Sequence, residues 1–334
     1  MTFHSIVGQA RVLERLRRSL AVERVAHAYL FVGPTGVGKA TVARAFAAAL
    51  TCPEEPGEGC GACSSCRRLT AGTHPDVHVV EPDGQEVKID QVRALQGALA
   101  SRPAEAQRAV AIIPQAERLN LAAANALLKT LEEPPGETVV VLVAPTASLL
   151  PSTVVSRCEQ VSFTPLPPEE LASFLVERRG LTAEAARLTA ALAAGRVGQA
   201  LEAEVGELKA MRERAWQFLA AAADGPGSVL AWSRKSVEEM RRDRSSLKAE
   251  GLELSSALLS LARDIILTEA GQLDRLIHAD LADRYSALPA ARRPAAAQAM
   301  FEAVQVARNR LKRNLNPQLV YETMGLAIAE ANRG

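Results

Sequence analysis

The sequence is poor in aromatic residues, which fill 4% of its 334 positions. Its core must therefore be assembled from Leu, Val, Ile and Ala rather than from ring stacking. Nor does one sign of charge dominate: 39 Lys and Arg oppose 38 Asp and Glu, a net charge of +1. That balance excludes the global basic footprint of a protein that coats nucleic acid, so any DNA contact has to be local or shared with partners. No run approaches the roughly 18 apolar residues of a membrane helix. The first residues, Met1 to Ser5, show no basic segment followed by an apolar one. No signal peptide is expected, and the compartment expected is the cytoplasm.

Two further absences are local. Gly33-Pro34-Thr35-Gly36-Val37-Gly38-Lys39-Ala40 matches the phosphate-binding pattern G-x-x-x-x-G-K-[ST] everywhere but at its last position. The run follows apolar Tyr29-Leu30-Phe31-Val32 and opens a helix expected from Thr41 to Leu50, the context the pattern requires. Gly33, Gly36 and Gly38 would let backbone N–H groups approach a phosphate, and the helix N-terminus adds positive potential. Lys39 would reach the outer phosphates. The missing final hydroxyl is the Mg²⁺ ligand. Ala40 has no oxygen, and Thr41 points about 100° further round the helix.

The second absence follows another buried strand, Ala109 to Ile113. An ATP-hydrolysing site places an Asp for the metal there, and often a Glu that orients the attacking water. This chain reads Pro114-Gln115-Ala116-Glu117, and neither Pro114 nor Gln115 supplies a carboxylate. Both halves of the metal chemistry are thus defective, which predicts a protein that works by position rather than by turnover. Two readings of the loop stay open: ATP or ADP held without hydrolysis, or an empty relic of the turn. Loss of metal ligands removes much of the attraction for ATP-Mg²⁺, which favours weak binding or none.

Four of the five cysteines cluster. Cys52, Cys60, Cys63 and Cys66 are spaced C-x7-C-x2-C-x2-C, with Gly57, Gly59, Gly61 and Ser64 supplying turns. Four thiolates at such spacing can close a tetrahedron around Zn²⁺, and a site filled by protein ligands is structural rather than catalytic. A redox pair, an iron–sulfur cluster and unligated thiols are the alternatives. The short ferredoxin run places a fourth Cys three residues on and then Pro, whereas Arg67-Arg68-Leu69 follow here. Cys158 stands alone and reads as a small buried hydrophobe. His27 and His74 read as structural hydrogen-bonding residues rather than ligands.

The length suits two domains, or three small ones. Strands are expected at Val77 to Val80, Val110 to Ile113, Val139 to Val143 and Val161 to Phe163. Helices are expected at Val12 to Leu20, Ile89 to Ala100 and Leu121 to Glu132. Continuous apolar strands alternating with helices indicate a parallel sheet covered on both faces. After Phe163 the strands stop. Thr164 to Pro168 reads as a linker, a helix starts at Pro168, another spans Ala183 to Ala194, and a short one lies near Gln199. From Val205 onward the pattern is helical throughout. Leu208 to Ala222, Leu252 to Thr268, Ala290 to Lys312 and Asn316 to Ala331 are the candidates, with a break at Asp224-Gly225-Pro226-Gly227. Arg241, Arg242, Arg244 and Lys248 form a basic run whose default is a solvated helix face, with DNA contact as the alternative.

Several strings together carry a resemblance. They are Ile6-Val7-Gly8-Gln9, His27 to Phe31, the phosphate loop, the cysteines, Thr73-His74-Pro75-Asp76, Ala123 to Pro135, Leu149 to Cys158, and Asn314 to Glu322. In that order they resemble the bacterial clamp-loader AAA+ family of DNA polymerase III. The resemblance implies an α/β fold: a parallel-sheet P-loop domain over residues 1–164 with a zinc insertion at about 52–70, a helical lid over 165–205, and an all-α collar over 206–334. It implies motor (gamma and tau) and delta subunits as partners, acting with a sliding clamp and primed DNA, and no membrane.

Ala40, Pro114 and Gln115 depart from the motor pattern. So does Gly198, where motor subunits carry an Arg that senses the γ-phosphate. The chain also ends near the collar helix, without a long polymerase-binding tail. The resemblance is therefore to a member that does not hydrolyse ATP. In the family, the Arg of Ser156-Arg157-Cys158 projects as an arginine finger into the neighbour's ATP site, which makes Arg157 the expected catalytic residue in trans. Asn125, Lys129 and Glu132 share one helix face by their spacing, a candidate for packing between subunits. Two other readings stay open: a motor-type clamp-loader ATPase with unusual metal ligation, and a stand-alone zinc-bearing DNA-binding or repair protein. The latter lacks an aromatic–basic platform.

Overall fold

The computed structural model describes residues 2–240, 244–286, 293–313 and 315–331. The chain divides into two compact units. One comprises Met1–Leu166 with Arg196–Gly198; the other comprises Pro167–Gly195 with Gln199–Gly334.

The first unit runs α1 (Ala10–Ala21), β1 (Ala28–Val32), α2 (Lys39–Thr51), α3 (Ser64–Ala71), β2 (Val77–Val79), α4 (Ile89–Leu99), β3 (Ala109–Ile113), α5 (Leu121–Glu132), β4 (Thr138–Ala144), α6 (Ser152–Val155) and β5 (Glu159–Ser162). The strands form one parallel sheet in the order β2-β3-β4-β1-β5. Strand alternation sends Tyr29 and Phe31 to one face, against Val12, Leu16, Val42, Phe46 and Leu69 of α1 to α3. It sends Ala28, Leu30 and Val32 to the other, against Val92, Leu95, Leu127 and Leu131 of α4 and α5. This is the doubly covered sheet the apolar runs predict. Five of the twelve rings lie in this unit and pack together: Tyr29 meets Phe46 edge-on at 5.2 Å and Phe31 lies 5.1 Å from Phe163.

The expected strands and helices of this unit are all present. Two helices were not foreseen: the single turn α6, and α3 inside the cysteine stretch, capped by the Cys63 sulfur accepting from the Cys66 N–H. A buried polar relay ties that insertion to the sheet. The Asp76 N–H donates to His74 Nδ1 at 3.1 Å, so the ring proton sits on Nε2 and is donated to Ser65 Oγ at 2.9 Å. Ser65 in turn donates to the Thr51 carbonyl at 3.1 Å. Burial holds the His74 ring below its ordinary pKa, in keeping with a neutral imidazole. The Asp76 carboxylate accepts three N–H groups, from Ala104, Glu105 and Ala106, at 2.6 to 2.9 Å.

The second unit is helical: α7 (Pro168–Arg179), α8 (Ala183–Leu192), α9 (Val197–Glu202, which begins in the first unit), α10 (Val205–Asp224), α11 (Pro226–Met240), α12 (Arg244–Glu269), α13 (Ala282–Ser286), α14 (Arg293–Lys312) and α15 (Pro317–Ala331). Its core joins Phe218, Val229, Leu258, Leu261, Val304, Tyr321 and Met324. Gly325 permits the closest crossing, since a Cβ there would lie 2.4 Å from Val229 Cγ1. Asp264, fully buried, accepts the N–H groups of Ile277 and His278 and pins the segment after α12. No helix among the described residues is long and apolar enough to cross a membrane.

Burial pushes the Asp76 carboxyl up, but its three N–H bonds outweigh burial and hold it below the ordinary carboxylate range. A depressed folded pKa contributes stability that is present above the unfolded value of about 3.9 and is lost as pH falls through the folded one. Asp76→Asn is therefore expected to cost about 2 kcal/mol at neutral pH, since all three N–H groups lose a charged acceptor and the amide NH₂ takes the place of one acceptor oxygen. The deficit relative to the parent should shrink as pH falls below about 4. Denaturant titrations at pH 7 and in acid check this; an equal deficit at both would contradict it.

Candidate functional site

The phosphate loop hangs from β1, the strand held between β4 and β5. In register, Leu30 faces Leu142 on one side and Gln160 on the other. The Gly33 N–H donates to the Pro145 carbonyl at 3.2 Å. A Cβ on Gly33 would sit 2.5 Å from the Phe163 carbonyl oxygen, so only glycine fits between these strand ends. Gly38 adopts φ +96 and forms the N-cap of α2. The loop shape that cradles an anion is thus intact.

The loop's own lysine folds back on it. Lys39 is buried, and its Nζ donates to the carbonyls of Gly33 at 2.5 Å and Pro34 at 2.8 Å. Burial lowers the Lys39 pKa, and the negative charge of Glu117 opposes that shift. Glu117 lies on a short 3₁₀ turn, Ala116–Arg118, directly after β3. One of its carboxylate oxygens is buried without a hydrogen-bond partner. The sequence placed the expected acids at 114 and 115, where Pro114 and Gln115 stand half-buried. The turn instead brings a carboxylate two residues later into the field of Lys39. That influence was invisible in the sequence because it depends on how the chain turns after the strand. Ala40 offers nothing to a metal, and Thr41 is exposed on the helix. Gly198 donates its N–H to the Gly36 carbonyl at 2.9 Å, and the Arg196 side chain covers Gly36. The segment around Gly198 therefore clasps the loop through its backbone.

The four clustered cysteines converge. All four sulfurs lie within 4.8 Å of one another, with Cys52–Cys63 at 3.9 Å and Cys60–Cys66 at 4.0 Å. A disulfide needs about 2.05 Å, so these are thiols. A tetrahedron with metal–sulfur bonds of about 2.3 Å has edges of about 3.8 Å, which fits. An iron–sulfur cluster, with several ions between the thiolates, would hold them further apart. Backbone N–H groups aim at the sulfurs: Glu55 and Cys60 at Cys52, Ala62 and Cys63 at Cys60, Cys66 at Cys63. Those on Cys60 bring its thiol down to about 7, whereas burial pushes Cys66 up to about 12. Only a cation in their midst would ionise all four together. His74 belongs to the relay behind this site and not to its ligands. His27 is exposed at the start of β1.

Arg157 follows α6, where Ser156 ends the helix. Its Nη2 lies 2.6 Å from Glu132 Oε1, and its Nη1 donates to the Thr153 carbonyl at 2.9 Å. Asn125, Lys129 and Glu132 are all exposed on α5, as their spacing predicts. The Arg157–Glu132 contact joins residues 25 positions apart on α5 and after α6, a pairing that only the fold creates. Cys158 packs against the core beside α6, and burial raises its thiol to about 11. Arg241 and Arg242 lie outside the described residues, as do the side chains of Arg244 and Lys248.

The family described as DNA polymerase III, delta subunit, matches residues 8–167. The chain is 31% identical over 325 residues to the DNA polymerase III subunit delta' of Bacillus subtilis, covering 96% of each. It is 46% identical over 145 residues to the delta' subunit of Pseudomonas aeruginosa, 42% of this chain and 44% of that one. The tau subunit of B. subtilis is 28% identical over 283 residues, 83% of this chain and 43% of tau.

Protein purified without chelator is expected to carry one divalent metal ion per chain, lost in Cys63→Ser. Because such sites contribute on the order of 10 kcal/mol to local folding, the variant should also expose the 52–70 segment to protease. Elemental analysis with limited proteolysis checks this. Metal-free protein with an unchanged digestion pattern, or an iron–sulfur absorption spectrum, would contradict it.

Proposed function

The chain belongs to the delta' subunits of DNA polymerase III, and from that premise we propose that it is a clamp-loader subunit that does not itself hydrolyse ATP. In this reading it assembles in the cytoplasm with motor (gamma or tau) and delta subunits. There it helps place the sliding clamp on primed DNA. It lends Arg157 to the ATP site of a neighbouring motor. The four cysteines hold a structural Zn²⁺, and the helical unit divides into a lid over 165–205 and a collar over 206–334.

One observation carries the proposal. The chain's own loop keeps its anion-binding shape but has no metal ligand at Ala40, Pro114 or Gln115, while the Ser156-Arg157-Cys158 motif is whole and the Arg157 side chain is partly exposed. A finger needs no nucleotide in its own subunit. Its guanidinium stabilises charge on the phosphoryl group transferred next door, an effect of roughly 10³–10⁵ in rate where it has been measured. The motor beside this chain would then stay incomplete until docking, which makes assembly a condition for hydrolysis.

A second reading, a motor-type ATPase with unusual metal ligation, is favoured by one observation only. Glu117 puts a carboxylate in the field of Lys39. Turnover separates the two.

The isolated chain should show no steady ATP hydrolysis above a Lys39→Ala control. Turnover that Lys39→Ala abolishes would replace the proposal with the motor reading. In the reconstituted complex, Arg157→Ala should leave assembly intact and slow clamp-stimulated hydrolysis. Arg157→Lys should rescue poorly, because an ammonium lacks the planar two-pronged fork. Normal hydrolysis and loading in complexes shown to contain Arg157→Ala would reject the finger.

A further inference from the structure

The guanidinium read above as a finger is folded back on its own chain. Nη2 lies 2.6 Å from Oε1 of Glu132, the last residue of α5. Nη1 donates to the Thr153 carbonyl at 2.9 Å and to Ser156 Oγ at 3.4 Å. Two facts bear on what this contact can do. Both side chains are at the surface, 36% and 49% exposed, so the pair contributes little to folding. And a guanidinium has five N–H donors fixed in one plane, two edges of which are committed here. A phosphate oxygen arriving from a neighbouring subunit must displace or share those partners, with a negative carboxylate beside it.

We propose that Glu132 is a positioning residue for Arg157. It stores the guanidinium against its own subunit and yields it only to an anion of higher charge, the terminal phosphate of a nucleotide on the docked neighbour. The inference rests on the finger reading of Arg157. The carboxylate bears one negative charge and is already partly hydrated; a nucleotide's terminal phosphate bears more charge and accepts two parallel N–H bonds from the fork. The exchange swaps one ion pair for a stronger one and breaks no covalent bond. Its consequence is a threshold: an interface with an empty neighbour leaves the finger stowed, and a loaded neighbour draws it out. Glu132 lies on the exposed face it shares with Asn125 and Lys129, so docking of a neighbour there would act on the same carboxylate.

The test uses the reconstituted complex of motor subunits, delta and this full chain. The motors' own finger arginines are substituted so that the interface beside this chain carries the signal. Glu132→Gln keeps the shape and removes the charge. The ATP KM at this interface should fall roughly two- to fivefold, the scale of an exposed ion pair, with kcat held within about twofold. In an Arg157→Ala background the same substitution should change neither. An unchanged KM, or a kcat loss as large as that of Arg157→Ala, would overturn the proposal. The two ideas fail separately. If Arg157→Ala leaves hydrolysis normal, the finger reading falls; if it slows hydrolysis while Glu132→Gln is silent, only the positioning role falls.

Discussion

A parallel sheet contains no hairpins, so each strand must be reached by a crossover, and the loops that leave the strands all emerge at one edge. Placing β1 between β4 and β5 therefore brings together segments far apart in sequence. Gly33 after β1 meets Pro145 after β4 and Phe163 after β5. The turn carrying Glu117 leaves β3 at the same edge. The phosphate loop keeps its form because strand ends grip it on both sides. That grip does not depend on metal chemistry, so the loop can outlive its ligands.

The same logic separates shape from reactivity in this chain. Gly33, Gly36 and Gly38 retain the backbone conformations of an anion cradle. Lys39 turns inward to two backbone carbonyls, and the negative charge of Glu117 favours its charged form. A carboxylate near that lysine works against a polyanionic ligand. Arg157 stands in contrast: it is accessible, on a surface helix end, with a partner that is weak enough to be exchanged. The fold thus preserves the loop architecture of a nucleotide site, while the Arg157 guanidinium lies against Glu132 at the surface of its own unit.

Much of the first unit was legible because its signals are local. Runs such as Val139 to Val143 read as strands buried on both faces, and at the start of the second unit Pro168 with two acids after it marks a helix start. The cysteine spacing announced a cluster that the structure closes to within 4.8 Å. What the sequence concealed are pairings set by tertiary placement: Ser65 with His74, Glu117 with Lys39, Glu132 with Arg157. Helix α3 was hidden because glycines and cysteines around it read as turns, although Cys63 serves as both candidate ligand and cap. In the second unit α11 was missed because its run, with one Ala and one Leu among Ser, Val, Trp and charged residues, carries no clear helical period and opens on the Pro226-Gly227 pair that reads as a break.

The central claim is that this chain acts on a neighbour's nucleotide and not on its own. Its most direct test is a side-by-side comparison of Lys39→Ala and Arg157→Ala in the same reconstituted clamp loader, read as clamp- and DNA-stimulated ATP hydrolysis per complex. The account predicts that Lys39→Ala matches the parent and Arg157→Ala is slower. The reverse pattern, a slow Lys39→Ala complex beside a normal Arg157→Ala one, would contradict it.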